Sequence, residues 1–544
     1  MKKGKSRHKR KKSRLLWIAI AVIGMAAITV AVCVAGMFKK EEVWKTPEEL
    51  LVEYMNHIPA QEYEQMYAML HIEASGNVSQ EDFIKRNSAI YEGIEIQNMA
   101  EIIAYDEEQL TVTYQTSFDT VAGEISFENE AFFLEGEDGY KLVWDNSLIF
   151  PNLASTDKVR VSTTQANRGE ILDRNGRVLA GKGTASSVGI VPGKLENREE
   201  AIAKIAELLE TTPEVIEKKL SAQWVKDDSF VPIKTIPRVE EIELLKVEPD
   251  EDVLKEKERH ESLLAIPGVM ISDVEVREYP LGEAAAHLVG YVQSVTAEDL
   301  EEHAGEGYTA NSVIGRSGME GLFEKELKGQ NGCRIYIVNS EGKEKEELAC
   351  ILVQHGQDIK LTIDASLQIA LYGQFQEDKS CSVAMNPYTG EVLALVSTPS
   401  YDNNDFIMGL SSEQWTALND DEDKPMYNRF RQVWCPGSTF KPVTAAVGLE
   451  SGAIDPNEDY GNVGLSWQKD ASWGSYYVTT LHAYEPVILE NALIYSDNIY
   501  FAKAALKIGS EEMESSLTGL GFNEELPFEI KMAESQYSNS EGIE

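Results

Sequence analysis

A serine and a lysine three residues apart mark the segment of this chain best suited to chemistry. Ser438 follows Pro436 and Gly437, which break the chain, and a helical pattern runs from it to about Leu449. A hydroxyl at the start of a helix lies near unpaired N–H groups that favour a developing oxyanion, and the i,i+3 spacing places Lys441 on the same face. A lysine can take the serine proton if burial or nearby positive charge lowers its pKa. Ser438 and Lys441 are therefore a candidate nucleophile and base.

This spacing is weak by itself, because the same pair occurs elsewhere in the chain. Ser6 with Lys9 and Ser340 with Lys343 repeat it, and such short patterns arise by chance. A second motif is needed before a site can be predicted.

The second motif is Ser496, Asp497 and Asn498, which lies between two apolar helical stretches at residues 487–495 and 499–508. At a break between helices, the Ser496 hydroxyl could relay a proton and the Asn498 amide could hold a substrate carbonyl. Ser496 is also suited to an ordinary helix N-cap. The order of the two motifs, each at the start of a helix, is what favours chemistry.

Both motifs fall in a region with an α/β pattern that begins after residue 358. We predict a short strand over residues 359–363, a helix over 365–372 and a hairpin with strands at 382–386 and 391–397. Residues 358–544 are therefore predicted as an α/β domain that carries both motifs.

A small α+β domain is predicted over residues 41–150. Its first helix has an N-cap threonine, a first-turn proline and a reciprocal acid at Thr46, Pro47 and Glu49. Apolar residues at helical spacing continue to Leu70, and alternating strand patterns follow to about residue 150.

Residues 155–350 have a different sequence pattern. A turn-rich segment is followed by a long, highly charged helical region through about Leu264. Thr212 and Pro213 open one of its helices, and residues 238–261 are predicted to form an exposed helical hairpin or arm. We interpret the charges as solvated helix faces, so the chain is predicted to be multidomain α+β.

The N-terminus indicates a membrane anchor. Residues 1–14 carry nine Lys and Arg and no acid, and residues 15–38 are apolar or small without a charge. A helix of that length crosses a hydrocarbon core of roughly 30 Å. A cleaved signal peptide is the alternative, but its apolar region is only about 7 to 15 residues long. We predict a single-pass protein of the cell membrane, with a cytoplasmic N-terminus and residues from about 41 onward outside the cell.

Charge and cysteine usage narrow the function classes. The formal net charge is −41, and a basic tail beside a membrane span is a weak signal for nucleic acid, so no nucleic-acid partner is expected. The cysteines, without a CxxC or His pairing typical of metal sites, are Cys33, Cys333, Cys350, Cys381 and Cys435. We expect free, buried thiols, with Cys435 as a small apolar filler.

In combination, the two motifs resemble the first two active-site motifs of the penicillin-recognising serine enzymes. Other segments resemble class B penicillin-binding proteins in that family's order. Four segments resemble the pedestal, or dimerisation, domain of that family: RGEILDRNG at 168–176, REYPLG at 277–282, HLVGYV at 287–292 and GRSGMEGLFEKELKG at 315–329. One further segment resembles the start of their transpeptidase domain, MNPYTGEVLALVSTPSYDNN at 385–404. Residues 41–150 look like the NTF2-like domain of the MecA-type branch.

The resemblance implies a role for each site residue. Ser438 would be the acylated nucleophile, Lys441 its general base, Ser496 a proton shuttle and Asn498 an anchor for the substrate amide. The backbone N–H of Ser438 would supply half of an oxyanion hole. The substrate would be the D-Ala-D-Ala end of a peptidoglycan stem peptide, and penicillin would acylate the same serine. No metal or cofactor is implied; cell-wall assembly proteins are the expected partners, and the MecA-type likeness suggests low affinity for β-lactams.

The third motif of this family, Lys-Thr-Gly or Lys-Ser-Gly, does not occur downstream of Asn498. After a helix over residues 499–508 we predict only a polar, acidic finish. We therefore expect a truncated or partial coding sequence whose transpeptidase domain stops before it is complete. Without that strand the oxyanion would lose its second donor, at a cost of several kcal/mol.

Other functions share parts of this pattern. A β-lactam hydrolase needs no pedestal, and a protease-coupled β-lactam sensor should carry HExxH, whereas His260 and Glu261 lack the second histidine. A non-catalytic scaffold for cell-wall assembly is favoured by the missing third motif and opposed by Ser438 and Lys441. A bifunctional glycan-polymerising enzyme is disfavoured, because the small α+β domain lies between anchor and pedestal.

Overall fold

The computed structural model describes residues 44–96, 100–239, 244, 251–540 and 542–543. The predicted cytoplasmic tail (1–14) and membrane helix (15–38) lie outside these residues. In the part of the chain that the structure describes, no helix is both long and apolar enough to cross a membrane. Two compact units are present: an N-terminal unit, Met1–Gln165 with Asn331–Val353, and a C-terminal unit, Ala166–Gln330 with Gln354–Glu544.

Both units contain helices and strands. The described helices are α1 (Pro47–His57), α2 (Tyr63–Ala68), α3 (Gln80–Tyr91), α4 (Arg198–Leu208), α5 (Pro213–Leu220), α6 (Glu251–Leu264), α7 (Ala286–Val289), α8 (Ala297–Glu302), α9 (Gly318–Leu322), α10 (Glu324–Lys328), α11 (Ala365–Phe375), α12 (Asn404–Met408), α13 (Ser412–Asp420), α14 (Lys441–Glu450), α15 (Leu489–Ile494), α16 (Asn498–Ile508) and α17 (Ser510–Gly519). The described strands are β1 (Ala100–Asp106), β2 (Thr111–Thr120), β3 (Gly123–Gly136), β4 (Gly139–Val143), β5 (Lys158–Thr164), β6 (Ile171–Leu172), β7 (Val178–Ile190), β8 (Val231–Ile236), β9 (Val269–Glu278), β10 (Val292–Ser294), β11 (Val313–Gly315), β12 (Gly332–Val338), β13 (Glu344–Ile351), β14 (Ile359–Lys360), β15 (Ser380–Met385), β16 (Val392–Thr398), β17 (Ser466–Trp467) and β18 (Val478–Thr479).

The N-terminal unit is built on an antiparallel meander in the order β1-β2-β3-β4. Helix α1 begins at the predicted capping box: the Thr46 hydroxyl accepts from the Glu49 amide, and the Glu49 carboxylate accepts from the Thr46 amide. Alternation along β2 buries Val112 and Tyr114 completely against the helices. The helix start predicted at Thr46 and the alternating strand patterns are confirmed, but the helical pattern predicted to continue to Leu70 is interrupted after His57 and resumes in α2.

A second sheet of the N-terminal unit has the order β13-β12-β5. Its central strand buries Ile335 and Ile337 in the same apolar core as the meander. An ion pair of 2.8 Å joins Lys345 on β13 to the buried Asp157 just before β5. Strand β5 lies far in sequence from the hairpin β12–β13, so their pairing in the N-terminal unit follows from tertiary structure and not from any local pattern.

The long strand β7 organises the first half of the C-terminal unit. It pairs with β9 along Gly181–Ile190 against Val269–Glu278, and with β8 along its C-terminal half. Helices α4, α5 and α6 cover this sheet through a core that includes Ile205, Ile216 and Leu263. Helix α6 confirms the helical character of the described part of the predicted arm; most of residues 240–250 lie outside the described residues.

Three of the segments that carry the family resemblance converge on one buried carboxylate. Glu320 is fully buried and accepts hydrogen bonds from Arg168 Nε at 2.8 Å and Arg277 Nε at 2.6 Å. Arg168 also pairs with Glu324 at 2.6 Å, and Arg277 donates to the Gly169 carbonyl at 2.9 Å. Buried charge is tolerated only when paired and hydrogen-bonded, so this cluster fixes the three segments to one another.

The α/β pattern predicted after residue 358 is present. Strands β15 and β16 form the expected hairpin, and α11 packs on β16. The buried Gln368 side chain donates to the carbonyls of Leu395, at 2.6 Å, and Ala284, at 2.8 Å, and accepts from the Leu395 amide at 2.9 Å. One side chain thereby ties helix α11 to strand β16 and to the segment before α7.

Beyond α16 the structure differs from the sequence-based expectation. The predicted polar finish contains a helix, α17, whose Met513 and Leu517 are buried in the core formed by α14 and α16. Two apolar residues four apart make one narrow helical stripe, which the surrounding acidic residues conceal in the sequence.

The prediction of buried thiols is confirmed for only one of the four described cysteines, and Cys381 is partly buried. All four are free, and Cys333 is buried, whereas Cys350 and Cys435 are exposed. Cys435 is not an apolar filler: it borders a cleft of about 1030 Å³ beside Trp434 and Phe440. The loop before Ser438 lies at the surface and leaves its side chains without a covering element.

Candidate active site

Ser438 lies in a single 3-10 turn that leads directly into α14. The turn spans Gly437–Phe440, and α14 begins at Lys441 with Pro442 in its first turn. Gly437 has a φ of +57°, a left-handed conformation that suits glycine. Ser438 therefore precedes the α-helix and does not open it as predicted, because the chain first closes an i,i+3 turn. The hydroxyl remains exposed to solvent.

The Lys441 amine occupies the centre of the site. Its Nζ lies 3.0 Å from Ser438 Oγ, as the i,i+3 spacing predicts. It lies 2.9 Å from Ser496 Oγ, 2.6 Å from the Ser496 carbonyl oxygen and 2.7 Å from Asn498 Oδ1. The two motifs predicted from the sequence therefore meet at one amine, although 55 residues separate Lys441 from Ser496.

The break between α15 and α16 positions the second motif. Asp497 is the N-cap of α16, and its side chain accepts from the Ile499 amide. Ser496 has a φ of +51°, which directs its carbonyl oxygen and hydroxyl to the same amine. The Asn498 amide donates to the Thr479 carbonyl on β18 at 2.9 Å, leaving Oδ1 for Lys441. The helix N-cap is thus Asp497 and not Ser496.

The electrostatic environment of Lys441 favours loss of its proton. Burial lowers the pKa of the amine from its ordinary value, and the carboxylate of Asp497 opposes part of that shift. A neutral amine has two N–H donors and one lone pair. The Ser496 carbonyl and Asn498 Oδ1 can only accept, so they take the two donors, and the lone pair is left for a serine hydroxyl.

Three groups of this site were not predicted as functional from the sequence. Asp497 caps the helix, the Ser496 backbone carbonyl binds the amine, and the Thr479 carbonyl orients the Asn498 amide. An aspartate directly before a helical pattern is a recognisable N-cap signal. A sequence pattern cannot indicate which backbone carbonyl is functional, because every residue has one.

The remaining candidate positions do not assemble a site. Ser340 and Lys343 lie in the turn between β12 and β13, and Ser6 and Lys9 lie outside the described residues. Within the ranges that the structure describes, no group of three or more His, Cys, Asp or Glu side chains could hold a metal ion.

Comparison with protein families supports the domain order. An NTF2-like N-terminal transpeptidase domain matches residues 46–157. A penicillin-binding protein dimerisation domain matches residues 163–361. A penicillin-binding protein transpeptidase domain matches residues 380–543, which include both site motifs.

Individual relatives agree with these matches. Penicillin-binding protein 3 of Bacillus subtilis is 37% identical over 507 residues, covering 91% of this chain and 73% of that protein. Peptidoglycan D,D-transpeptidase MrdA of Escherichia coli K12 is 29% identical over 374 residues, which are 68% of this chain and 57% of that protein. The fold also resembles a solved complex between PBP2 and MreC from Helicobacter pylori, with a TM-score of 0.50, 24% identity and coverage of 69% of this chain and 68% of that one. The chain therefore belongs to the class B penicillin-binding proteins, with an NTF2-like, a dimerisation and a transpeptidase domain.

Proposed function

We propose that this chain performs serine acyl transfer on peptidoglycan stem peptides, with Ser438 as the nucleophile. The observation that supports this most directly is the 3.0 Å contact between Ser438 Oγ and the Lys441 amine, which also contacts two groups that can only accept, the Ser496 carbonyl and Asn498 Oδ1. The family membership of the chain supplies the substrate class, the D-Ala-D-Ala terminus.

In the first half-reaction, Ser438 Oγ attacks the carbonyl carbon of the penultimate D-Ala while its proton passes to Lys441 Nζ. Collapse of the tetrahedral intermediate breaks the C–N bond. As this bond breaks, the proton passes from Lys441 through Ser496 Oγ, 2.9 Å away, to the nitrogen of the departing D-Ala. In the second half-reaction, an amine from a neighbouring strand attacks the ester carbonyl, the C–O bond to Ser438 breaks, and a proton of the attacking amine passes to Ser438 Oγ. Asn498 would bind the substrate amide, and the backbone N–H of Ser438 would supply half of the oxyanion site.

Covalent labelling of the full 544-residue chain with a fluorescent penicillin tests this proposal. Labelling should map to a peptide containing Ser438 and disappear in Ser438→Ala. Ser340→Ala is the matched control, because Ser340 has the same spacing to a lysine but lies in the turn between β12 and β13. Persistent labelling in Ser438→Ala, or no labelling of a folded sample, contradicts acylation at Ser438; the second result favours the non-catalytic scaffold.

We also propose that residues 15–38 anchor the chain in the cell membrane with the bulk of it outside. The support is the uncharged stretch behind nine basic residues in positions 1–14. The exposed thiols of Cys350 and Cys435 provide a probe. A membrane-impermeant maleimide should modify them in intact cells and fail to do so in Cys350→Ser/Cys435→Ser. Modification that requires cell lysis contradicts this orientation.

A third proposal concerns antibiotic response. We propose low affinity for β-lactams, supported by the match of residues 46–157 to the NTF2-like domain. The acylation rate constant for penicillin should then be small, and saturation should require high concentrations. Rapid, complete labelling at low penicillin concentration contradicts this proposal.

A further inference from the structure

Ser496 adopts a backbone conformation that its side chain does not favour. Its φ of +51° lies in the left-handed region, which is unfavourable for a non-glycine residue. Yet this conformation is what allows both the carbonyl oxygen, at 2.6 Å, and the hydroxyl, at 2.9 Å, to reach Lys441 Nζ. Such a turn persists only where surrounding contacts hold it.

Backbone hydrogen bonds from the Ser496 amide to the Leu493 carbonyl and from the Asp497 amide to the Ala492 carbonyl close the turn, and the Asp497 side chain adds further contacts. Asp497 is 4% exposed, and its two carboxylate oxygens have different partners. Oδ1 accepts from the Ile499 amide at 2.8 Å, and Oδ2 accepts from the Tyr484 hydroxyl at 2.7 Å. Asp497 is therefore fixed to the start of α16 on one side and to the segment before α15 on the other.

Tyr484 is itself held in place for this contact. Its ring stacks on Tyr495, with centroids 4.6 Å apart and planes 29° from parallel. Burial and the adjacent Asp497 carboxylate raise the pKa of the Tyr484 hydroxyl, so the hydroxyl stays protonated and donates. The cations that face Asp497 from the described helices are Lys441 of α14 and Lys503 of α16.

We infer that Tyr484 is a positioning residue for acylation: its hydroxyl fixes Asp497, Asp497 fixes the left-handed turn, and the turn aims Ser496 at the Lys441 amine. This inference rests on the proposed function and names a residue outside both motifs. Tyr484 does not touch Ser438 or Lys441, so its effect passes through the turn.

The first test is Tyr484→Phe in the full chain, which removes the hydroxyl and keeps the stacked ring. Loss of a hydrogen bond to a charged group should slow penicillin acylation at Ser438 by about tenfold. A loosened turn admits water to Lys441 and relieves the burial that lowers its pKa. The rising limb of the pH–rate profile should therefore move to higher pH, a change that a general loss of folded protein does not produce.

Tyr495→Phe is the matched control, because it removes a hydroxyl from the other ring of the same stack without touching Asp497. It should leave the rate and the pH profile unchanged. Asp497→Asn is a second variant in case Tyr484→Phe folds poorly. The asparagine is neutral and its Nδ2 can only donate, so the charge-assisted hydrogen bond from the Tyr484 hydroxyl is lost and the same slowing is expected. Because the Asp497 carboxylate also raises the pKa of Lys441, the rate and not the pH profile is compared for this variant.

A second readout separates this inference from the proposed function. Amide hydrogen exchange in a peptide covering residues 489–500 should be faster in Tyr484→Phe than in Tyr495→Phe. If wild-type protein is not labelled at Ser438, the proposed function fails and the exchange rates still decide whether Tyr484 holds the turn. If labelling occurs but Tyr484→Phe matches wild type in acylation rate, pH profile and amide exchange, the positioning role is overturned and acylation at Ser438 stands.

Discussion

At the residue scale, the proposed role of Lys441 as a base requires its amine to be neutral. Burial lowers the pKa of its amine, so a larger fraction is neutral near pH 7 than for an exposed lysine. Only the neutral amine can accept the Ser438 proton. The acylation rate should therefore rise with pH and level off above the folded-state pKa of Lys441. Rate constants for penicillin labelling between about pH 5 and 10 check this; a rate independent of pH contradicts it.

Arginine at position 441 keeps the charge but cannot act as a base, because its guanidinium stays protonated. Lys441→Arg should lower the acylation rate by about 10²–10⁴-fold and abolish the rising limb of the pH profile. Lys343→Arg changes the lysine of the decoy pair and should have no effect. The labelling assay on both variants measures the difference, and equal rates would exclude Lys441 as the base.

His287 is a second residue whose chemistry is set by burial. Desolvation lowers its pKa to about 4, while its Nε2 contacts the Pro425 carbonyl at 2.8 Å. The folded state thus keeps the ring neutral at pH values where the unfolded chain is already protonated. The resulting loss in the free energy of unfolding is absent above the unfolded pKa of about 6.5 and grows as pH falls towards 4. Below pH 4 it reaches about 3 kcal/mol.

Substitution of this histidine should remove that pH dependence. The free energy of unfolding of His287→Gln should fall less than that of wild type between about pH 6.5 and 4. His303→Gln, at a partly exposed position beside α8, is the matched control for replacing a histidine. Urea unfolding at several pH values measures both; identical slopes for His287→Gln and wild type would contradict the assignment.

At the element scale, two helix starts with the same sequence signal differ in structure. Thr46 before Pro47 accepts a hydrogen bond from the helix backbone, whereas Thr212 before Pro213 makes no such cap bond. Thr46→Ala should therefore destabilise the first turn of α1 by about 1 kcal/mol. Thr212→Ala should leave the first turn of α5 nearly unchanged.

Amide hydrogen exchange in the two first turns distinguishes these outcomes, because local opening is governed by the free energy of the turn. Exchange in α1 should accelerate in Thr46→Ala. Equal acceleration of α5 in Thr212→Ala would show that the capping bond is not what distinguishes the two starts.

At the scale of the whole molecule, the Glu320 cluster holds together segments from three parts of the C-terminal unit. Glu320→Gln leaves the buried guanidinium groups of Arg168 and Arg277 without their shared anion. Breaking a buried pair in this way typically costs about 3–5 kcal/mol. Glu217→Gln breaks an exposed pair with Arg198, and the expected cost is about 0–1 kcal/mol. Thermal unfolding of the two variants makes the comparison, and similar losses would contradict a structural role for the buried cluster.

Much of the local structure was predictable from the sequence. The capping box at Thr46, the hairpin β15–β16, the helix α16 and the contact between Ser438 and Lys441 depend on spacings of a few residues, which helical and strand periods translate directly into geometry. The family resemblance also predicted that both motifs contribute to one site. Where local signals conflicted, prediction failed: α17 was concealed by acidic residues, and Cys435 lies on an uncovered loop.

The sequence by itself determined which side chains can react, where their helices begin and to which family the chain belongs, because those properties follow from residue type and short spacing. The tertiary structure decided which groups surround the Lys441 amine, that Tyr484 reaches Asp497, and that β5 joins β12 and β13 in the N-terminal unit. These features depend on contacts between residues tens to hundreds of positions apart. Such contacts are set by the packing of whole elements, which no local period encodes.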